Sequence, residues 1–109
     1  MKFNKEIMMR NFDSFPQTEV VKLITDEYGI TLEEFNSKLR YDPLPEARQL
    51  YCLSLARFGA KNKDICRLTG YSPGRVNYTI SAGVKLCATV PFFKVRCDKL
   101  LKYLLKLEP

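Results

Sequence analysis

The chain has 109 residues, 46% apolar and 28% charged, which is the size of a single domain with enough apolar material for a packed core and excludes a globally disordered chain. Its net charge of +6 is unevenly spread: residues 1–60 hold 8 Lys/Arg against 9 Asp/Glu, whereas residues 61–109 hold 10 Lys/Arg against only Asp64, Asp98 and Glu108. There is no histidine, the four cysteines (Cys52, Cys66, Cys87, Cys97) form no C-x-x-C pair, and no G-x-x-x-x-G-K-[ST] stretch occurs, so no metal site, cofactor, phosphate-loop ATPase or other catalytic constellation is expected.

Residues 1–13 lack a firm period and read as an N-terminal arm before a domain over 14–109. In "SFPQTEVVKLITDEYG", Ser14 with Gln17 makes a capping-box pattern, Pro16 suits a first turn, and Val20, Val21, Ile24 and Tyr28 recur at helical spacing up to a stop at Gly29. "TLEEFNSKL" follows, with a second capping box at Thr31 and Glu34 and an apolar face of Leu32, Phe35 and Leu39. "RYDPLPE" is a break, because its two prolines cannot sit inside a helix. A strong helix then carries Ala47, Leu50, Tyr51, Leu55 and Phe58 and ends near Gly59.

Asn62 is the expected cap of a short helix over 63–69, with Ile65 and Leu68 inward and Gly70 as its stop. Ser72 caps the next helix, Pro73 takes its first position, and Val76, Ile80, Val84 and Cys87 form its apolar side. Pro91 marks a further boundary. The last helix places Phe93, Cys97, Leu100, Leu101 and Leu104 on one face, with Lys94, Lys99, Lys102 and Lys106 largely elsewhere. With no alternating β pattern, the fold expected is all-α, a compact bundle of about six helices. No apolar run approaches the roughly 20 residues of a membrane span, and residues 1–15 lack a secretory h-region, so a cytoplasmic protein with reduced thiols is expected.

Function is carried by "KDICRLTGYSPGRVNYTI", residues 63–80. Two helical patterns joined by a short turn with glycine read as a helix-turn-helix. Gly70 enters the left-handed region at no Cβ cost, Tyr71 plugs the corner, and Ile65, Cys66, Val76 and Ile80 hold the helices together. The second helix, about 73–88, then projects Gly74, Arg75, Asn77, Tyr78 and Ser81 outward. Arg and Asn pair with guanine and adenine in the major groove, so Gly74, Arg75, Asn77 and Tyr78 are the expected base contacts. Lys61, Lys63, Arg67 and Ser72 are expected phosphate contacts, with Lys85 farther along the helix. The partner expected is double-stranded DNA, with the domain a monomer or weak dimer.

"TEVVKLITDEYGITLEEFNSKLR" followed by "EARQLYCLSLARF", and then "VKLCATVPFFKVRCDKLLKYLL", resemble the DNA-binding C-terminal domain (domain IV) of the bacterial replication initiator DnaA, with a Trp-repressor-like helix-turn-helix. The resemblance covers roughly residues 17–107, and Ala47-Arg48-Gln49 with the order of the helices are its most specific parts. It implies a role in replication or transcription control, and a basic loop after the second helix, implicated in minor-groove contact, whose counterparts here, Lys38 and Arg40, are expected phosphate contacts. The family's Gly-Gly-Arg-Asp-His-Thr-Thr-Val stands here as Gly70-Tyr71-Ser72-Pro73-Gly74-Arg75-Val76. That exchange opens the alternative of a DnaA-like scaffold without base recognition that docks a protein partner in a replication or regulatory complex.

Overall fold

A computed structural model describes residues 15–106; the expected N-terminal arm and the Ser14 cap lie outside the described residues. Helices form where local chemistry starts and stops them. Helix α1 (Gln17–Tyr28) ends at Gly29, whose φ of 66° is left-handed and lets the Gly29 and Ile30 amides return to the Asp26 and Thr25 carbonyls. Helix α2 (Leu32–Asn36) opens with the full capping box: Thr31 Oγ1 accepts from the Glu34 amide at 3.0 Å, and the Thr31 amide donates to Glu34 Oε1 at 2.9 Å.

Helix α3 (Leu44–Arg57) begins at Leu44 and carries Pro45 in its first turn, so the proline-rich break ends one proline earlier than the sequence suggests. The first turn tolerates proline because its amide has no helical partner to lose. Helices α4 (Asn62–Thr69), α5 (Pro73–Thr89) and α6 (Pro91–Lys106) complete six helices, with no strand among the described residues.

Helix α3 is the axis of the bundle and touches each of the other five. It is accordingly buried on nearly every side, through Leu44, Ala47, Arg48, Leu50, Tyr51, Cys52, Leu53, Ser54 and Leu55. Val20, Val21 and Ile24 of α1, Phe35 of α2, Ile65 of α4, Val76 of α5 and Phe93, Cys97, Leu100 and Leu104 of α6 close the core around it. Helices α3 and α5 approach closely. A Cβ on Gly83 would lie 3.3 Å from both the Gln49 carbonyl oxygen and Leu53 Cβ, so any side chain there would push these backbones apart by a few tenths of an ångström.

Three expected inward residues point outward instead. Leu32 and Leu39 are exposed, because α2 is only five residues long and docks through Phe35 alone. Val84 is exposed as well, since α5 buries Val76, Thr79 and Gly83 and turns Val84 about 100° off that line. Two cysteines meet between helices, Cys87 and Cys97, with sulfurs 3.8 Å apart; all four cysteines are free. Among the described residues no helix is long and apolar enough to cross a membrane, and no cluster of three His, Cys, Asp or Glu could hold a metal ion.

Candidate nucleic-acid interface

The corner between α4 and α5 is built as the residue types demand. The Gly70 φ of 79° reverses the chain, and its amide donates to Cys66 O at 2.7 Å. The Tyr71 amide is taken by Thr69 Oγ1 at 3.1 Å. Ser72 adopts extended backbone and its hydroxyl accepts from the Arg75 amide at 3.2 Å, with Pro73 in the first position of α5. Ile65 and Val76 are fully buried at the inner side of the corner, with Cys66, Leu68, Tyr71 and Ile80 packed partly around them.

Asn62 does not cap α4. Residue Lys61 precedes the helix, and its amide donates to Asp64 Oδ2 at 3.0 Å. Asn62 lies inside the first turn and reaches across the corner: its Nδ2 donates to Asn77 Oδ1 at 2.8 Å and to Pro73 O at 3.3 Å, while Cys66 Sγ donates to its Oδ1. A side chain that can cap its own helix is here recruited to fix the start of α5 against α4, a tertiary use that local spacing does not reveal.

The outward face of α5 matches expectation in its exposure. Gly74, Arg75, Asn77, Tyr78 and Ser81 are all exposed, Tyr78 by 73%. Nothing lies within 4 Å of where a Gly74 Cβ would be, so that flank is open to a close approach. Two of these residues have internal partners. Asn77 is held by Asn62, and the Arg75 guanidinium stacks 3.7 Å from the centre of the Tyr71 ring. Lys61, Lys63, Arg67 and Ser72 are exposed around the same corner, with Arg67 3.5 Å from Asp64, and Lys85 is exposed farther along α5.

The loop between α2 and α3 brings a second basic element. Lys38 and Arg40 are exposed on it, and Arg48 holds its shape from below. Only 4% exposed, Arg48 donates through Nε to Phe35 O (3.1 Å), through Nη1 to Leu39 O (2.6 Å) and through Nη2 to Glu34 O (3.0 Å) and Ser37 O (2.8 Å). One guanidinium thus satisfies the open carbonyls at the end of α2 and in the loop behind it. Its role is scaffold, through carbonyls rather than an ion pair. Burial lowers its pKa; the Tyr71 side chain opposes that, and the charges of Arg75 and Arg40 add to it, which shows how near one another the three arginines stand.

Across protein-family models, curated proteins and solved structures, the chain matches none.

Proposed function

We propose that the protein is a duplex DNA-binding module in which α4 and α5 act as a helix-turn-helix and α5 enters the major groove, in replication or transcription control on a scaffold like the DnaA C-terminal domain. The observation that carries the reading is the outer flank of α5. Over its first three turns it offers Gly74, Arg75, Asn77, Tyr78 and Ser81 to solvent, while the opposite flank is sealed by Val76, Thr79 and Gly83. Around that flank stand Lys61, Lys63 and Lys85, and across from it Lys38 and Arg40. A groove-sized helix edge rimmed by cations is the electrostatic footprint of duplex binding.

The test is selection from a random duplex library at two salt concentrations, with wild type and Arg75→Ala compared. Four to six phosphate contacts give a log–log salt slope of about −4 to −5. A shallow slope, together with unchanged duplex binding by Arg75→Ala, would remove the model. The internal ties of Asn77 and Arg75 favour one other reading, a protein-docking module without base recognition. Retention of a protein partner after nuclease treatment, with no duplex shift in low salt, would select that reading instead.

A further inference from the structure

We infer that the cleft between the α2–α3 loop and the start of α5 is a binding site for a single phosphate group, clamped between Arg40 and Arg75. The inference rests on the DNA reading above only in taking that phosphate to belong to nucleic acid.

The cleft has a volume of about 120 Å³ and is walled by Arg40, Arg48, Gln49, Tyr71, Arg75 and Tyr78, with no carboxylate in its lining. That is roughly the room of four waters, which suits one tetrahedral oxyanion. Three guanidiniums converging without a counter-charge repel one another, and an anion between them removes that repulsion. Donors are to spare. Arg40 and Arg75 make no ion pair among the described residues, the Gln49 side-chain amide has no hydrogen-bond partner there, and Arg48 uses four bonds of its five N–H donors. The acceptor-rich, donor-free chemistry of a phosphate is what such a set lacks.

The geometry is also prepared in advance. Tyr71 stacks under the Arg75 guanidinium and holds it back against the body of the protein, and the Arg48 hydrogen bonds fix the backbone on either side of Lys38 and immediately before Arg40. Arg75 is therefore placed as a phosphate clamp, which leaves base contact to Asn77, Tyr78 and Ser81 farther along α5. A strand crossing from α5 to the loop would seat one of its phosphates here. Either an internal phosphodiester or a terminal 5′-phosphate supplies the same oxygens.

The experiment is an NMR titration of the free protein with inorganic phosphate, following the Arg Nε–H resonances, in wild type, Arg40→Gln, Arg75→Gln and Lys102→Gln. All three substituted side chains are exposed, so folding is checked by the unperturbed amide spectrum. The expected result is saturable shifts at Arg40 and Arg75, with affinity about tenfold weaker in each arginine variant and unchanged in Lys102→Gln. Non-saturating shifts spread over all cationic side chains, equal in every variant, would overturn the site. Duplexes ending in 5′-phosphate or 5′-hydroxyl form the second arm. A preference for the phosphorylated end that Arg40→Gln abolishes assigns the terminal group, and equal binding of both, weakened by Arg40→Gln at all sequences, assigns an internal one. Duplex binding indifferent to both arginine substitutions sinks the site and leaves the DNA reading standing. Saturable phosphate binding in a protein that shifts no duplex sinks the DNA reading and leaves the site.

Discussion

Cations on the α3 and α6 side of the molecule and cations at the α4–α5 corner are the same residue types in opposite situations. On the bundle side, each arginine and two of the lysines answer a partner. Arg48 binds four carbonyls, Arg96 bridges Glu27 at 3.1 Å and Glu46 at 3.3 Å while lying 4.6 Å from the Tyr28 ring, Arg57 and Lys94 share Asp98, and Lys99 approaches Glu27. At the corner, Arg67 faces Asp64 at 3.5 Å, but Lys61, Lys63 and Arg75, like Lys85 farther along α5, have no carboxylate partner among the described residues, and α5 carries no acidic residue at all. Net charge alone would not separate these regions. What separates them is which cations the acids reach: Glu27, Glu46 and Asp98 engage Arg57, Lys94, Arg96 and Lys99 on the bundle side, while at the corner Asp64 faces Arg67 and leaves the other cations unpaired among the described residues.

The difference is sharpest at Arg48, where removal has the largest expected effect. Arg48→Ala abandons the carbonyls of Glu34, Phe35, Ser37 and Leu39 in or near the core, and stability should fall by about 3–4 kcal/mol, read from the denaturant midpoint. Arg48→Lys should recover little of it, because a point-like ammonium cannot span four acceptors set around a planar fork. An alanine variant as stable as wild type would mean that the loop keeps its shape without the arginine, and the contrast between engaged and bare cations would lose its strongest member.

Arg96 comes next. It joins α6 to α1 and α3 through two carboxylates, and Glu46 also accepts from the Tyr28 hydroxyl at 2.6 Å, so four side chains depend on one another. Arg96→Ala should lower stability by about 1–2 kcal/mol, since the network is only partly buried. It should leave the duplex affinity of the folded protein unchanged. An affinity drop matching that of corner substitutions would show that the bundle side also meets DNA.

Much of the frame is legible in the sequence because it is written in local chemistry. The Thr31–Glu34 box, the Gly29 and Gly70 stops and the Ser72-Pro73 start all act within four residues, and each appears as expected. Exposure of Arg75, Asn77 and Tyr78 follows from Val76 facing inward, since one fixed position sets the phase of a helix. The rest depends on which helix lies opposite. Leu32, Leu39 and Val84 have helical spacing but no neighbour to cover them. Asn62 satisfies partners eleven and fifteen residues away, and Gly83 lies closely against the Gln49 carbonyl and Leu53 of α3. By its own segment Arg48 reads as a surface or ion-pairing arginine, because nothing there shows four carbonyls waiting beyond a turn. The phosphate-sized cleft is of this second kind, a meeting of residues 40, 48, 49, 75 and 78 that no single stretch displays.

Lys61→Ala combined with Lys63→Ala tests the other pole. Both side chains are exposed and have no carboxylate partner among the described residues, so stability should move by less than about 0.5 kcal/mol. The salt slope of duplex binding should become shallower by about 2, one for each phosphate no longer neutralised. Lys99→Ala with Lys102→Ala, an equal charge change on α6, should leave the slope where it was. Equal slopes for the two double variants would reduce the corner to a share of diffuse net charge.

The smallest effect belongs to Asp98, which receives hydrogen bonds from Lys94 and Arg57, both at 3.2 Å, and these hold its carboxyl below the ordinary aspartate range. The folded state thus binds that proton less readily than the unfolded chain. The stabilisation is present above the unfolded aspartate value and is lost as pH falls through the lower folded value. Asp98→Asn removes the titration, so the wild-type advantage in thermal midpoint should be seen at neutral pH and shrink as pH falls below the ordinary aspartate range. Because the carboxylate is at the surface and screened, the difference is small, and raising the salt should shrink it further. The same substitution frees Lys94 and Arg57 and so makes the bundle side resemble the corner. If bare charge is sufficient for duplex binding, Asp98→Asn should tighten it; if the α5 flank is also needed, affinity should stay level while stability slips, and that split between the two readouts is what distinguishes a shaped interface from a merely positive one.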